Sequence, residues 1–233
     1  MSASAGGLLV AEMFATVQGE GPSCGQQALF VRLSRCNLSC PSCDTPYTWD
    51  WSRFDPAREA TRRSTDEVLR WVLGQPARLV VVTGGEPLLQ QAALVPLLAE
   101  LAAAGRRVEV ETNGTVVPDP AVADLADWNV SPKLAGFSSP RDQQRRIVGE
   151  ALEAFARTGR ARFKFVASGP ADLDEIAGLQ QRFGLDPVWV MPEGTAADQV
   201  LTGLRGLADE VVRRGWNLTS RLHVLAWGDV RGR

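Results

Sequence analysis

Residues 28–43 of the chain have the sequence ALFVRLSRCNLSCPSC, which joins a short apolar run to three closely spaced cysteines. Cys36, Cys40 and Cys43 have the spacing CxxxCxxC. Thiolates are soft ligands that suit either zinc or an iron–sulfur cluster. A structural zinc ion takes four ligands, and the sequence offers no second pair of cysteines or histidines to complete such a set. Three thiolates on a four-iron cluster instead leave one iron open to a small molecule.

The segments around this stretch alternate between short β-branched runs and longer amphipathic runs. The predicted strands are Ala28–Leu33, Leu79–Val82, Arg107–Glu111, Trp128–Val130, Arg162–Val166, Val188–Val190 and Leu222–Ala226. The predicted helices are Thr65–Leu73, Leu88–Ala103, Asp142–Arg157, Asp172–Phe183 and Ala196–Arg214. Ser64 is a suitable N-cap for the first of these helices. Such alternation predicts a parallel sheet, either open and doubly wound or curled into a barrel.

A polar or glycine-rich segment follows directly after most of the predicted strands. These segments are residues 34–44, 83–87, 112–114, 131–133, 192–194 and 227–229. In a parallel barrel they would all lie at the C-terminal face, where such folds place their active sites. The sequence therefore predicts one site that is built from several loops.

The composition limits the classes of function. A chain of 233 residues, 45% of them hydrophobic, is long enough for one α/β core, and we expect a single domain over residues 1–233. The net charge of −2 argues against a nucleic-acid surface. No apolar run suits a membrane span, and Met1–Val10 lacks the features of a secretion signal. We therefore expect a soluble, cytoplasmic protein, in which clustered thiols bind metal and the separate Cys24 is a bystander.

The cysteine triplet after a strand, combined with Thr83-Gly84-Gly85-Glu86-Pro87 after the next, resembles the radical S-adenosylmethionine (SAM) superfamily. The resemblance implies an oxygen-sensitive [4Fe–4S] cluster whose open iron chelates SAM. Reductive cleavage of SAM would give a 5′-deoxyadenosyl radical that abstracts hydrogen from the substrate. The two glycines allow a close backbone approach. One departure is Ser42, where the superfamily has an aromatic residue near the adenine, which implies a looser contact there.

The flanking motifs resemble one family within this superfamily, the 7-carboxy-7-deazaguanine synthases of queuosine and 7-deazapurine biosynthesis. These motifs are residues 16–21, 30–33, 43–50, 111–114, 131–133, 191–194 and 222–229. The resemblance implies an α/β fold, an incomplete, modified (β/α)6 TIM-type barrel. It implies a lyase that converts 6-carboxy-5,6,7,8-tetrahydropterin to 7-carboxy-7-deazaguanine with release of ammonia. Recycled SAM, Mg²⁺, a homodimer and an electron donor such as flavodoxin or ferredoxin are implied as well.

The same resemblance implies roles for individual residues, with the chemistry itself carried by cluster-bound SAM rather than by a catalytic side chain. Thr45 would offer its hydroxyl to Mg²⁺. The implied SAM-binding residues are Ser42, Asp44, Gly85, Glu86, Ser131, Pro132, Lys133, Met191, Pro192, Glu193 and Gly194. The implied substrate-binding residues are Val17, Gln18, Gly19, Glu20, Arg32, Thr83, His223 and Arg233. Within this set, Arg32 suits the pterin carboxylate because a guanidinium pairs with a carboxylate through two hydrogen bonds.

Ordinary structural roles compete with these assignments. Gln18 and Glu20 fit a solvated turn, Thr45 fits a local cap, and Lys133 fits a solvated surface. His223 lies in an apolar predicted strand, where a core position is the commoner fate. The basic tail, residues 231–233, fits either a contribution to the site or disorder.

Three other functions compete with the synthase. The first is a radical SAM activase that generates a glycyl radical on a partner protein, and the second is a non-catalytic iron–sulfur or zinc scaffold. The third, a flavin or nicotinamide enzyme, is disfavoured because no GxGxxG follows a strand. Turnover of the pterin without a partner protein would separate the synthase from all three.

Overall fold

The computed structural model describes residues 7–233, so Met1–Gly6, part of the segment expected to lack a secretion signal, lie outside the described residues. The described strands are β1 (Leu8–Val17), β2 (Gln27–Leu33), β3 (Thr61–Arg63), β4 (Leu79–Gly84), β5 (Arg107–Thr112), β6 (Asp127–Val130), β7 (Ala161–Ala167), β8 (Val188–Pro192) and β9 (Asn217–Leu218). The described helices are α1 (Pro56–Glu59), α2 (Thr65–Leu73), α3 (Gln91–Ala103), α4 (Pro120–Ala123), α5 (Gly149–Arg157), α6 (Pro170–Phe183), α7 (Ala197–Arg213) and α8 (Leu222–Trp227). None of these helices is long and apolar enough to cross a membrane.

The strands form a single open sheet in the order β3-β1-β2-β4-β5-β6-β7-β8-β9. Six strands, β2 and β4–β8, run parallel to one another, and the short β9 continues them at one edge. At the other edge, β1 pairs antiparallel with β2, and β3 pairs antiparallel with β1. Helices connect successive parallel strands, which confirms the predicted incomplete (β/α)6 barrel.

The predicted elements of the parallel core are confirmed with small shifts at their ends. Helix α2 begins where Ser64 predicts, because Ser64 Oγ accepts from Glu67 N at 3.2 Å and the Glu67 carboxylate accepts from Ser64 N at 2.7 Å. The predicted helix Leu88–Ala103 is divided, since residues 87–90 form a 3₁₀ turn before α3. The edge strands β1, β3 and β9 were not predicted.

Two predicted elements are wrong. The predicted strand Leu222–Ala226 is the helix α8, in which Val224 and Leu225 donate their backbone N–H groups to Arg221 O. A short apolar run does not distinguish a strand from a helix by its pattern alone. The predicted helix Asp142–Arg157 begins only at Gly149, because the Asp142 carboxylate accepts hydrogen bonds from a distant loop instead.

The two faces of the sheet differ in character. The large core lies between the sheet and the helices, where Val80 and Val82 of β4 pack beside Val108 and Val110 of β5. The opposite face has only a small apolar cluster, formed by Phe14, Ala28, Phe30, Leu79 and Val81. Farther along the sheet, that face carries charged and polar side chains, including those of Glu109, Asn129 and Lys164. A polar interior of this kind suits a ligand site rather than a packed barrel core.

Two glycines bring the end of β4 against the end of β2. Gly84 has φ of +141°, and a Cβ added there would lie 2.1 Å from Leu33 O. A Cβ added at Gly85 would lie 2.1 Å from Arg35 O. Two backbone hydrogen bonds stabilise this close approach. Gly85 N donates to Leu33 O at 3.2 Å, and Glu86 N donates to Arg35 O at 2.8 Å. The glycines therefore fix the backbone that leads directly into Cys36.

We predict that Gly85→Ala lowers the free energy of unfolding by about 1–3 kcal/mol, because the new methyl group meets backbone that cannot move aside. Urea denaturation measures this change. The matched control is Gly178→Ala in α6, where an added Cβ meets nothing within 4 Å and stability should rise by up to about 1 kcal/mol. Equal stability of the two variants would contradict the steric account of Gly85.

Candidate active site

A cavity opens at the carboxyl ends of the parallel strands. It is lined by the three cysteines of the triplet and by most of the other predicted site residues: Val17, Gln18, Gly19, Glu20, Arg32, Ser42, Asp44, Thr45, Thr83, Gly85, Ser131, Pro132, Lys133, Met191, Glu193, His223 and Arg233. Three predicted residues, Glu86, Pro192 and Gly194, do not line it. Loops that are distant in sequence thus meet at the predicted edge of the sheet.

The three cysteines are free and half-buried. Burial, with smaller contributions from Glu86 and the other two thiols, raises the pKa of Cys36 to about 12 against a hydrogen bond from Leu38 N that lowers it. Burial also raises the pKa of Cys40. Three crowded thiolates are costly here unless a cationic metal centre shares their charge. Three cysteine thiolates without a fourth protein ligand fit a four-iron cluster with one open iron better than a structural zinc ion, which takes four ligands.

Hydrogen-bond donors surround the cysteine sulfurs. Trp49 Nε1 lies 3.3 Å from Cys43 Sγ, and the backbone N–H of Leu38 lies 3.5 Å from Cys36 Sγ. Donors of this kind stabilise negative charge on sulfur and tune the potential of a cluster. The indole of Trp49 also lines the cavity, so it supplies aromatic surface beside Cys43 although Ser42 does not.

Asp142 anchors the loop that carries the cysteines. Its Oδ2 accepts from both Ser39 N and Ser39 Oγ at 2.6 Å, and its Oδ1 accepts from Arg145. Arg145 also donates to Asn37 O at 3.1 Å. Burial alone would raise the pKa of Asp142, but the hydrogen bonds from Arg145 and Ser39 hold it well below its usual range. No local pattern indicates this anchor, because Asp142 lies in a segment that was predicted to be helical.

Glu86 is completely buried behind the cavity wall. Its carboxylate accepts from Leu88 N at 3.0 Å, from Thr112 Oγ1 at 2.8 Å and from Asn113 N at 2.7 Å. Burial raises its pKa despite these donors. The side chain therefore joins the loop after β4 to the loop after β5, and the contact with SAM stays a prediction.

A buried ionic cluster forms one side of the cavity. The Glu20 carboxylate accepts from Lys164 Nζ and from Arg221 Nε, the latter at 3.2 Å, and His223 Nε2 lies 4.0 Å away. Burial would raise the pKa of Glu20, but the charges of Lys164 and Arg221 hold it far below its usual value. Glu20 is therefore an ionised, restrained acceptor rather than part of a solvated turn.

Sequence reasoning missed the two cations of this cluster. Lys164 lies within the apolar strand β7 and is 6% exposed, and Arg221 precedes α8 and is 7% exposed. A lysine between phenylalanines in a predicted buried strand was the available signal for Lys164. Arg221 gave none, because the segment after it was predicted to be a strand.

His223 lies on α8 rather than on the predicted strand, and it faces the loop after β1. A Cβ added at Gly19 would lie 2.1 Å from His223 Nδ1, so only glycine fits at that point of the wall. Burial lowers the pKa of His223, against the raising effect of Glu20. The imidazole is therefore neutral near pH 7, which allows it either to donate or to accept a hydrogen bond.

Glu111 connects two of the predicted substrate residues. Its Oε1 accepts from Gln18 Nε2 at 3.1 Å, and its Oε2 accepts from Thr83 Oγ1 at 2.8 Å. Glu111 lines the cavity, although only its motif and not the residue itself was singled out from the sequence. The polar wall thus combines amide, hydroxyl and carboxylate groups.

Arg32 lies at the aromatic side of the cavity. Its guanidinium lies 5.7 Å from the centroid of Phe14, which stacks on Phe30 with centroids 5.2 Å apart. Glu12 Oε1 lies 3.5 Å from Arg32 Nε, yet among residues 7–233 this buried nitrogen has no hydrogen-bond partner. A half-buried guanidinium with an unused donor beside aromatic rings fits a planar anionic ligand.

The C-terminal tail is packed onto the protein. Arg231 lies over the Tyr47 ring, 3.8 Å from its centroid, and bonds to Glu59 Oε2 at 2.8 Å and to Glu12 Oε1 at 3.2 Å. Arg233 then reaches the cavity. The tail therefore ends beside the cavity, and a role of Arg233 in substrate binding stays a prediction.

Comparison with known proteins identifies the family. Residues 31–164 match the radical SAM superfamily. The chain is 36% identical over 231 residues to a 7-carboxy-7-deazaguanine synthase of Pyrobaculum aerophilum, covering 96% of each chain. It is 38% identical over 244 residues to that of Halobacterium salinarum, covering 95% of this chain and 91% of the relative. The chain belongs to the 7-carboxy-7-deazaguanine synthase family.

Solved structures agree with this membership. The QueE structure from Escherichia coli has a TM-score of 0.71 and 26% identity, and the match covers 93% of this chain and 95% of that one. SuiB of Streptococcus suis, at 15% identity and a TM-score of 0.54, shares the fold alone. The family predicted from the motifs is thus confirmed.

Three residues assigned by resemblance to the 7-carboxy-7-deazaguanine synthase family lie close to a cysteine or to each other. Thr45 Oγ1 is 3.7 Å from Cys43 Sγ and lines the cavity, where a hard oxygen ligand for Mg²⁺ would be needed. Lys133 Nζ donates to Ser131 Oγ at 3.1 Å, so the lysine is held at the rim rather than free in solvent. These roles stay predictions.

We predict that Glu20→Gln lowers the free energy of unfolding at pH 7 by about 3–5 kcal/mol, because it leaves Lys164 and Arg221 buried without their shared partner. The pKa of Glu20 is lower in the folded state than its ordinary 4.5. The stabilisation that the ionised Glu20 contributes is therefore complete above about pH 4.5. It is lost as the pH falls below this value, by about 1.4 kcal/mol per pH unit.

Urea denaturation of the cluster-free protein between pH 7 and pH 3 checks this dependence. The control is Glu153→Gln, which breaks an exposed pair with Arg157 at 3.9 Å and should cost no more than about 0.5 kcal/mol. A gap between wild type and Glu20→Gln that stays constant down to pH 3 would contradict the ionised state assigned to Glu20.

Proposed function

We propose that this protein is a radical SAM lyase that converts 6-carboxy-5,6,7,8-tetrahydropterin to 7-carboxy-7-deazaguanine with release of ammonia. The observation that carries the proposal is the cavity itself. It holds the cysteine triplet and the half-buried Arg32 guanidinium, whose Nε has no hydrogen-bond partner among the described residues, in a chain that matches a synthase over 96% of its length. A glycyl-radical activase is not favoured by the near-complete match.

The cofactors of this reaction are a [4Fe–4S] cluster, SAM and Mg²⁺. Cys36, Cys40 and Cys43 would hold the cluster, and reduction of cluster-bound SAM supplies the radical that abstracts hydrogen from the substrate. The SAM-binding residues would be those predicted at the rim, including Asp44 and Lys133, and Thr45 would contribute its hydroxyl to Mg²⁺. Glu86, which is proposed to contact SAM, would also hold the loop after β4 to the loop after β5, because its carboxylate accepts from Asn113 N.

Different walls of the cavity would bind different parts of the pterin. Arg32 would bind the carboxylate, and the stacked pair Phe14 and Phe30 gives an apolar surface for the flat ring. Glu111, with its donors Gln18 and Thr83, would bind the amide and amino edge. An analogue that lacks the carboxylate or the amino group would leave these protein groups without hydrogen-bond partners. The site should therefore discriminate against such analogues.

The wider setting completes the proposal. Residues 1–233 would act as one domain within a homodimer, in the reducing cytoplasm where four free cysteines persist. A one-electron donor such as flavodoxin or ferredoxin would reduce the cluster. No nucleic acid or membrane is required for turnover.

Anaerobic reconstitution followed by incubation with SAM, reductant, Mg²⁺ and the carboxypterin tests the reaction. We expect 7-carboxy-7-deazaguanine and ammonia with no protein partner present. Cleavage of SAM without this product would contradict the synthase and leave only the superfamily.

We predict that Cys40→Ala loses at least about a hundredfold in both SAM cleavage and product formation, because a cluster with two protein ligands is not retained. Iron content and visible absorbance measure the cluster independently of activity. Cys24→Ala is the matched control, since Cys24 lies outside the triplet and its thiol contacts Gly19 O at 3.3 Å and Ser220 Oγ at 3.9 Å. Full iron content in Cys40→Ala would contradict the ligand assignment.

We predict that Arg32→Gln retains the cluster and lowers kcat/KM for the carboxypterin about 10- to 150-fold, because a charge-assisted pair contributes about 1.5–3 kcal/mol. Steady-state kinetics with varied carboxypterin measures this loss. The control Arg157→Gln removes a guanidinium that is 69% exposed on α5 and should leave kcat/KM unchanged. An equal effect of the two substitutions would remove Arg32 from the substrate site.

A further inference from the structure

Arg221 is a buried cation that contacts three separate loops of the active site. It lies between β9 and α8, and its side chain is 8% exposed. Its Nε donates to Glu20 Oε1 at 3.2 Å, its Nη1 donates to Gly194 O at 2.7 Å, and its Nη2 donates to Asp44. All three nitrogens of the guanidinium are therefore used, each in a different direction.

The three contacted loops have different places in the fold. Glu20 follows β1 and forms the wall that is proposed to bind the pterin. Asp44 directly follows the last cysteine of the triplet, and Gly194 follows β8, and both belong to the segments proposed to bind SAM. A further backbone bond supports the first contact, because Leu222 N donates to Gly19 O at 2.8 Å.

Few side chains are able to make this junction. A guanidinium is planar and rigid, and it presents its donors in fixed, divergent directions, whereas an ammonium is a single flexible point charge. The carboxylates of Glu20 and Asp44 offset the cost of burying the cation. Burial alone would lower the pKa of Arg221, but these two negative charges raise it. Asp44 remains 45% exposed, so its bond to Arg221 orients the loop more than it stabilises the fold.

We propose that Arg221 is a positioning residue that sets the distance and orientation between the SAM-binding segments and the substrate wall. The inference rests on the proposed function, because it concerns how hydrogen abstraction is directed to the pterin. A misplacement of about 1 Å between reacting groups is enough to cost about a hundredfold in rate. Loss of Arg221 would therefore separate SAM cleavage from product formation, even when both ligands bind.

The test compares two products of the cluster-loaded enzyme. Productive turnover regenerates SAM, so 5′-deoxyadenosine that accumulates measures unproductive cleavage. In Arg221→Met we expect product formation to fall about a hundredfold while 5′-deoxyadenosine formation changes only a few-fold. The ratio of 5′-deoxyadenosine to product should thus rise at least about tenfold, and Arg221→Lys should show an intermediate ratio because it keeps one charged contact.

Arg214→Met is the matched control. Arg214 makes the same kinds of contact on the outer surface: Nε to Glu210 at 2.6 Å, Nη1 to Leu173 O at 2.8 Å and Nη2 to Asp174 at 2.7 Å. Its replacement removes a comparable set of bonds away from the cavity, so the product ratio should equal that of wild type. A fraction of misfolded protein lowers both products equally and leaves the ratio unchanged.

A ratio in Arg221→Met equal to that in wild type would overturn the inference. If Arg221→Met does not fold, Asp44→Asn removes one arm of the junction and should raise the same ratio by a smaller factor; an unchanged ratio there overturns the inference as well. If wild type cleaves SAM without forming the deazaguanine, the proposed function fails instead, and hydrogen exchange of the cluster-free protein then decides about Arg221.

Hydrogen exchange monitors one amide in each loop. Gly25 N bonds to Gln18 O, Thr48 N bonds to Thr45 O, and Glu193 N bonds to Ala167 O. We expect Arg221→Met, or Arg221→Lys if the former does not fold, to speed exchange at all three amides, with no change in Arg214→Met. Faster exchange confined to residues next to position 221 would overturn the inference.

Discussion

The close approach of β4 to β2 at Gly84 and Gly85 is the constraint on which the rest of the site depends. It places the backbone after β4 in direct hydrogen-bond contact with Leu33 and Arg35, one residue before the first cysteine. Glu86 then extends this order to the loop after β5 through its bond with Asn113 N. The cysteine loop is therefore fixed at its beginning by neighbouring backbone and at its middle by Asp142, before any cofactor binds.

Charge pairing organises the opposite side of the cavity. Burying Glu20, Lys164 and Arg221 separately would be prohibitive, whereas together they form one compensated cluster. Arg32 differs from these three residues, because its buried Nε has no hydrogen-bond partner among the described residues. The charges of the Glu20 cluster are thus hydrogen-bonded within the protein, whereas Arg32 keeps an unused donor beside the proposed pterin site.

The local sequence pattern was sufficient to predict most strands and helices of the parallel core. The parallel strands, the start of α2 at Ser64 and the cysteine triplet followed from spacing and propensity, and the resemblance supplied most of the cavity lining. Hydrogen bonds between residues far apart in sequence could not be predicted from local pattern. The bond between Ser39 and Asp142 spans 103 residues and that between Glu20 and Arg221 spans 201, and no local pattern encodes either. The helix α8 was missed for the related reason that an apolar run of five residues is equally compatible with both kinds of element.

The anchored tail has a practical consequence for how the protein is handled. Arg231 stacks on Tyr47 and carries the last residue, Arg233, to the cavity rim. An affinity tag fused after Arg233 would therefore begin at the mouth of the active site, where its own side chains would compete with ligands for the entrance.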